Sequence, residues 1–228
     1  MSPTNVGAEQ SARAPMDPPR RDRTRTSYDV VADEYVARIG GELDRKPFDR
    51  ELLARFAERV KTAGPATDVG CGPGHVTRYL RDQGVRVCGV DLSGALVKRA
   101  SALNPDIGFV QADMRALPAS DGAWAGMVVL YSLIHIPRGE VVHVLREFKR
   151  ALQPGGLLLL GFHEGDQVLH MDEWWDHRVS VDFIFFQGDE MRGYLESAAL
   201  TVEEVLRRPP YAPDVEHQSP RCYVLARA

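Results

Sequence analysis

Short apolar runs alternate with amphipathic segments through the middle of this chain. Five such runs predict β-strands, at residues 66–70, 85–91, 106–113, 125–132 and 157–163. Between these runs apolar residues recur every three or four positions, which predicts helices; the longest covers residues 138–152. Strands that alternate with helices indicate a parallel sheet with helices on both faces, so the fold class is α/β.

The two ends of the chain predict further elements around this sheet. Before it, apolar residues at helical spacing predict a helix over 27–40, which ends at Gly40-Gly41, and another over about 48–62. After it, residues 164–187 are predicted to be an insertion, irregular in its first half. The remaining predictions are a β-like run at 179–186, a helix at 188–199 and strand-like runs at 200–206 and 221–228.

Composition limits the domain count and the function classes. The chain has 228 residues, of which 44% are hydrophobic and 26% charged, and this suits one α/β domain over residues 27–228. A formal net charge of −4 disfavours a general electrostatic grip on nucleic acid. Residues 1–26 are rich in Pro, Ala, Ser and Arg, and they predict a disordered N-terminal tail.

Cysteine usage and apolar stretches predict the compartment. The cysteines Cys71, Cys88 and Cys222 are scattered and form no metal-binding pattern, which is typical of free thiols in a reducing cytoplasm. The first 25 residues lack the apolar run of a secretory signal, and no stretch reaches the ~18 apolar residues of a membrane span. We therefore expect a cytoplasmic protein with no membrane partner.

A glycine-rich loop follows the first predicted strand and opens a helix. Residues 68–74 read D-V-G-C-G-P-G. A dinucleotide site needs its third glycine at position 75, where this chain has His75. Pro73 removes an N–H donor from the place where a phosphate would be cradled, and the carboxylate of Asp68 would repel one. The loop therefore favours a nucleoside that carries no phosphate.

Acidic residues end the next two predicted strands. Asp91 stands where a carboxylate can bind both hydroxyls of a ribose. Asp113 can accept a hydrogen bond from an adenine amino group, and Met114 can pack on the ring. With the loop, these residues predict a site for an adenosine with a positively charged tail. A simple helix cap is the alternative for Asp113.

These segments resemble the class I S-adenosylmethionine-dependent methyltransferases. The resemblance rests on D-V-G-C-G-P-G, G-V-D-L-S, Q-A-D-M and L-Q-P-G-G, extends over about residues 27–228, and is strongest to enzymes that methylate natural products, sugars and other small metabolites. It implies a Rossmann-like, seven-stranded, mostly parallel sheet with an antiparallel last strand, and S-adenosyl-L-methionine as cofactor. The cofactor-binding residues that it implies are Tyr28, Asp68, Gly70, Cys71, Gly72, Gly74, Asp91, Leu92, Asp113, Met114 and Tyr131.

The same resemblance limits the kind of molecule that can accept the methyl group. Family members that methylate base amines or glutamine amides carry Asn/Asp-Pro-Pro-aromatic after strand four, where this chain has residues 130–133, L-Y-S-L. We therefore predict methyl transfer to an O, N or S atom of a small-molecule metabolite by a monomer or homodimer. Two alternatives stay open: an NAD-dependent oxidoreductase, and a non-catalytic module that binds S-adenosylmethionine.

Two histidines at the ends of strands four and five are candidate catalytic residues. His135 and His163 are predicted to lie side by side, where one could act as base and the other could orient it. A purely structural role is the alternative for each. His163, Glu164, Asp166 and His170 do not have the spacing of a standard metal site, so no metal is predicted.

Aromatic residues are concentrated in residues 164–187. An aromatic wall excludes water and suits a flat or apolar acceptor, although the same rings could form a small satellite core. The predicted substrate-binding residues are His170, Trp174, Trp175 and Phe186, and Phe183 and Phe185 belong to the same cluster.

Overall fold

The alternating segments form a seven-stranded sheet in the computed structural model, which describes residues 19–228. The helices are α1 (Arg20–Val30), α2 (Ala32–Ile39), α3 (Pro47–Val60), α4 (His75–Asp82), α5 (Gly94–Leu103), α6 (Arg138–Ala151) and α7 (Gly188–Ser197). The strands are β1 (Ala66–Val69), β2 (Val87–Asp91), β3 (Phe109–Gln111), β4 (Trp124–Leu130), β5 (Leu152–His163), β6 (Val168–Trp174), β7 (His177–Ile184), β8 (Thr201–Arg208) and β9 (Arg221–Arg227). Short 3₁₀ turns lie at Glu42–Arg45 and Leu133–His135.

The strand order of the large sheet is β3-β2-β1-β4-β5-β9-β8. Strands β1 to β5 are parallel, whereas β9 runs antiparallel to both β5 and β8. This confirms the predicted Rossmann-like class I methyltransferase topology. The chain leaves β1 in one direction for β2 and β3, and then crosses back to β4. Ligands of open α/β sheets bind beyond the carboxyl ends of the strands at such a reversal.

Apolar packing covers both faces of the sheet. One buried cluster joins α6 and α7 to the sheet through residues such as Val144, Phe148 and Leu195. A second cluster, on α3 and α4, includes Phe56 and Leu80. The central strands are buried on both sides, which explains why their sequences are continuous apolar runs.

The predicted N-terminal tail over residues 1–26 extends too far along the chain. Helix α1 begins at Arg20, and Thr24 is only 6% exposed; residues 1–18 lie outside the described residues. Polar contacts hold this helix, since Arg20 pairs with Asp182 at 3.0 Å and the Ser180 N–H donates to Ser27 Oγ at 2.9 Å. Such contacts leave no apolar pattern in the sequence. The single helix predicted over 27–40 is also interrupted, at Val31.

The predicted irregular part of the insertion is a strand. Strands β6 and β7 form an antiparallel hairpin that is separate from the large sheet. Its turn is Trp175-Asp176, with φ values of 51° and 63°. Because neither residue is glycine, the sequence carries no strong hairpin signal at this point. The hairpin packs on α1 at the carboxyl edge of the sheet.

Candidate functional site

The first cavity lies at the carboxyl ends of β1, β2 and β4, under α1. Nine of the predicted site residues line it: Tyr28, Gly70, Gly72, Asp91, Leu92, Asp113, Met114, Tyr131 and His135. The topology therefore brings together residues that are up to about a hundred positions apart in sequence.

The glycine loop approaches β4 too closely for side chains. Gly70 has a φ of 76°, and a Cβ atom at this position would lie 2.1 Å from Cβ of Ser132. The Ser132 hydroxyl donates to the carbonyl of Val69 at 2.7 Å and so ties the loop to the end of β4. Gly72 faces Tyr35 across the cavity. The loop thus presents bare backbone to a ligand.

Substitution of Gly70 by alanine is expected to lower the free energy of unfolding by at least about 2 kcal/mol, because a left-handed backbone and a clash with Ser132 are combined. Thermal melting would measure the loss, and cofactor binding should be lost with it. Gly139→Ala is the control, since a Cβ there meets nothing within 4 Å. Equal melting temperatures for the two variants would contradict the prediction.

Asp91 connects the glycine loop to the start of α5. Its carboxylate accepts from the Gly72 N–H and the Ser93 N–H, both at 2.8 Å. Burial raises the pKa of Asp91 to about 6, although these two donors oppose the shift. A carboxylate has about four lone-pair sites, so two stay available to the ribose hydroxyls of a ligand.

Asp113 and Met114 line the far end of the first cavity. Asp113 accepts from the backbone N–H of Arg115 at 2.9 Å and pairs with the Arg115 guanidinium at 3.3 Å. Arg115 also donates to Glu140 at 2.7 Å. No helix lies between β3 and β4 in the described part of the chain, so Asp113 does not cap one. Its carboxylate holds a local turn with Arg115 and also lines the cavity.

Three predicted cofactor residues lie behind the loop rather than in the cavity wall. Asp68 is 2% exposed and accepts from the Thr77 hydroxyl at 2.6 Å. Cys71 is buried, and Gly74 directly precedes α4 with a φ of 80°. These residues shape the loop and fix it to α4. The sequence showed that they belong to the loop, but not which way each residue faces.

His135 is held between two partners. Its Nδ1 lies 2.8 Å from the carbonyl oxygen of Asp182, and its Nε2 lies 2.8 Å from the Tyr28 hydroxyl. A carbonyl only accepts, so Nδ1 carries the proton and Nε2 accepts from Tyr28. Burial lowers the pKa of His135 to about 4, and the ring is neutral at pH 7.

A second cavity adjoins the first. Tyr28, Tyr35 and Tyr131 line both cavities. Its apolar lining residues come mostly from the hairpin and its surroundings: Ile39, Ile134, Leu169, Met171, Trp174, Phe183 and Phe185. Its charged and histidine lining residues are Glu42, Lys46, His163, Glu216, His217 and Arg221.

His163 belongs to the second cavity, so the predicted pairing of His135 with His163 is wrong. Nδ1 of His163 lies 2.8 Å from Ser219 Oγ, and its ring stacks on Phe185 at 4.9 Å. Burial and the charge of Arg221 lower the pKa of His163 to about 3. The two histidines come from adjacent strands, but Tyr28 and Tyr131 stand where the two cavities meet.

The predicted substrate residues divide in the same way. Trp174 lines the second cavity. The other three predicted residues line neither cavity. Phe186 is fully buried against Phe162 and Tyr194, and Trp175 is in the hairpin turn. His170 lies at the surface, where it is hydrogen-bonded to Asp182 and Asp172.

Sequence reasoning missed Lys46 and Arg221. Lys46 precedes α3 and is 4% exposed, and Arg221 begins β9 and is 2% exposed. Neither lies in a motif. Arg221 pairs with His163 in the register of β5 and β9, and only that pairing places it beside the cavity.

Comparison with known proteins points to one family. Residues 66–156 match the family model described as a methyltransferase domain. This segment of the chain is therefore similar to a methyltransferase domain. The match covers β1 to the start of β5 and therefore includes the glycine loop, Asp91, Asp113 and His135.

Curated relatives of this chain include a malonyl-[acyl-carrier protein] O-methyltransferase from Pseudescherichia vulneris, 33% identical over 119 residues, or 50% of this chain and 44% of that protein. A trans-aconitate 2-methyltransferase from Paracidovorax citrulli is 34% identical over 51% of this chain and 45% of that protein. The chain thus spans about half the length of the curated relatives that it matches.

Solved structures share the fold at low identity. The magnesium protoporphyrin IX methyltransferase from Synechocystis PCC 6803, solved with its bound cofactor, has a TM-score of 0.69 and 14% identity, covering 94% of this chain and 99% of that one. The [4+2]-cyclase SpnF has a TM-score of 0.68 and 17% identity, covering 92% and 97%. Because one of these neighbours is named a cyclase, the fold by itself does not specify methyl transfer.

The first cavity fits S-adenosylmethionine, the cofactor of this methyltransferase family. The loop at Gly70 has no room for a Cβ, Asp91 has lone pairs to spare, and Met114 lines the end near Asp113. Within residues 19–228 no helix is long and apolar enough to span a membrane. In the same part of the chain no group of three potential ligands is arranged to hold a metal ion.

Proposed function

We propose that this methyltransferase transfers a methyl group from S-adenosylmethionine in the first cavity to a hydroxyl oxygen of a small molecule in the second cavity. The observation that carries the proposal is the 2.8 Å hydrogen bond between the Tyr28 hydroxyl and His135 Nε2. Tyr28 lines both cavities, so a base system stands between cofactor and acceptor.

The residues of the first cavity would hold the cofactor in a defined orientation. Asp91 would bind the ribose hydroxyls, and Asp113 with Met114 would bind the adenine. When bound, S-adenosylmethionine supplies an electrophilic methyl group on a sulfonium. Positioning of acceptor and methyl group provides on the order of 7–11 kcal/mol of the barrier reduction when the pose is good.

Tyr28 and His135 give the acceptor proton a path. An acceptor hydroxyl that donates to Tyr28 Oη can pass its proton to that oxygen while Tyr28 passes its own proton to His135 Nε2. The resulting imidazolium keeps its Nδ1–H bond to the carbonyl of Asp182. Total charge is unchanged, since His135 gains a positive charge as the sulfonium is lost. The buried surroundings of His135 therefore oppose this proton transfer less than they oppose protonation of His135 in the enzyme without cofactor, where burial lowers the pKa of His135 to about 4.

The names of two relatives support an acceptor that carries a carboxyl group, and one of them specifies an oxygen atom. One relative is named as an O-methyltransferase of malonyl-[acyl-carrier protein], whose acyl group is attached to a carrier protein, and another is named for trans-aconitate, a small free acid. The apolar and polar residues that line the second cavity are consistent with a small acceptor that has both kinds of surface.

The pH dependence should separate Asp91 from His135. We expect kcat to be flat from about pH 6 to 8 and to fall only toward pH 4, because burial holds the pKa of His135 at about 4. The kcat/KM for cofactor should fall below about pH 6, where Asp91 of the free enzyme takes up a proton. Initial rates across this range test both expectations, and a kcat inflection near pH 6.5 would contradict the first.

Turnover on matched acceptors tests the proposal. The enzyme is incubated with S-adenosylmethionine and with 4-hydroxy-, 4-amino- and 4-mercaptobenzoate, and with the same three groups on a cinnamate. Mass spectrometry identifies methylated products. We expect O-methyl products, dependent on Tyr28. Methylation of the amine or thiol only, or binding of the cofactor without any turnover, would overturn the proposal.

A further inference from the structure

The charged residues that line the second cavity belong to a buried ionic network. Lys46 Nζ lies 2.6 Å from Glu42 and 3.4 Å from Glu216, and Arg221 lies 3.4 Å from Glu216. Behind them Arg208 joins Glu216 to Asp49. Removing such charges from water is costly, so a network at a cavity wall calls for a functional explanation.

The network has balanced charges, and its carboxylates are engaged. Glu216 accepts hydrogen bonds from Arg208 and from the Tyr211 N–H, and it forms ion pairs with Lys46 and Arg221. Glu42 gives one oxygen to Lys46 and the other to His75. Lys46 has three N–H groups and two carboxylate partners, so one N–H is left for a ligand. Because it lines the cavity, this donor is within reach of an acceptor molecule.

His163 presents a second donor. The Arg221 guanidinium donates to Ser219 Oγ, and the one remaining partner of that oxygen in the described residues is His163 Nδ1. The Ser219 proton therefore points to Nδ1, and His163 carries its own proton on Nε2. Among residues 19–228 Nε2 has no hydrogen-bond partner, and the ring lines the second cavity.

His163 and His135 thus have opposite tautomers. His135 accepts through Nε2, whereas His163 donates through Nε2. Burial is the main cause that lowers the pKa of His163; the charges of Arg221 and Lys46 add to it, whereas Glu216 opposes it. The ring is therefore neutral and keeps its Nε2–H as a donor for a ligand. His163 suits the role of a substrate anchor, and the proton path belongs to Tyr28 and His135.

We infer that the acceptor is a hydroxylated carboxylic acid, with its carboxylate bound by Lys46 and His163 and its hydroxyl at Tyr28. This inference rests on the proposed function for the hydroxyl end. The apolar wall of Trp174, Phe183 and Phe185 lies along the same cavity and would hold a flat, unsaturated body between the two polar ends. The inferred substrate class is a phenolic or otherwise unsaturated hydroxy acid.

Binding in the presence of S-adenosylhomocysteine tests the acid end without turnover. Calorimetry compares 3-hydroxybenzoate, 4-hydroxybenzoate and 4-hydroxycinnamate with their carboxamides, which keep shape and hydroxyl but lack the charge. We expect at least one acid to bind about tenfold or more tightly than its amide, as charge-assisted hydrogen bonds require. If no acid in the set exceeds its amide, the inference is wrong.

Two variants of His163 assign the preference to this residue. His163→Gln keeps an N–H near the Nε2 position and should keep most of the acid preference. His163→Phe retains the stacking on Phe185 without a donor and should reduce the acid-to-amide ratio to within about threefold. An unchanged ratio in His163→Phe would overturn the assignment. Lys46→Gln, checked by thermal melting for loss of fold, should also reduce the ratio.

Failure of this inference is distinguishable from failure of the proposed function. Selective binding of acids without methyl transfer would support the anion site and contradict the proposed reaction. O-methylation of amides and acids at equal efficiency keeps the reaction and removes the anion site.

Discussion

Substitution of Asp91 by alanine is expected to weaken S-adenosylmethionine binding about 100-fold. In the proposed site the carboxylate would accept two hydrogen bonds from ribose hydroxyls, each worth about 1.5–3 kcal/mol because the acceptor is charged. It also holds the Gly72 and Ser93 N–H groups, so its loss loosens the loop that forms one wall of the first cavity. Calorimetry with S-adenosylmethionine and S-adenosylhomocysteine measures the change.

Asp106→Ala is the matched control for this variant. Asp106 is a solvent-exposed carboxylate that pairs with Arg78 away from the cavity, and its removal should leave cofactor affinity unchanged. If Asp91→Ala binds S-adenosylmethionine with wild-type affinity, the assignment of the first cavity as the cofactor site is wrong. Binding of NAD(H) by the wild-type protein would contradict it independently.

Substitution of Tyr28 by phenylalanine is expected to lower kcat about 10²-fold on a hydroxyl acceptor and to leave cofactor affinity within about twofold. The ring stays to pack against Trp174 and Tyr35, but the proton path to His135 is broken. His135→Ala should have a similar effect. Because the two groups act as one path, we expect the kcat of the double variant to lie within about threefold of the kcat of the slower single variant.

Multiplicative losses in the double variant would show that Tyr28 and His135 act separately. Tyr35→Phe serves as the control, since Tyr35 lines both cavities but has no hydrogen bond to His135. A carboxylate acceptor needs no base. If Tyr28→Phe keeps the wild-type rate while a methyl ester is formed, the acid end of the substrate is the nucleophile and the proposed orientation is reversed.

The amino-acid sequence by itself determined the order of the elements and the cofactor loop. Continuous apolar runs predict buried parallel strands, and three glycines with an early third position disfavour a dinucleotide, because these are local properties of backbone and side chains. Asp91, Asp113 and Met114 follow from the same logic, since the carboxyl ends of parallel strands meet at one edge.

Only the tertiary structure decided the second cavity. Lys46 and Arg221 are single charged residues in unremarkable segments, and strand register and the start of α3 place them in one wall. The direction of each side chain also separated Trp174 from Phe186, and His135 from His163. The tautomers of the histidines depend on partners 47 to 107 positions away in the chain. Contacts at that separation leave no periodicity in the sequence, because nothing local constrains them.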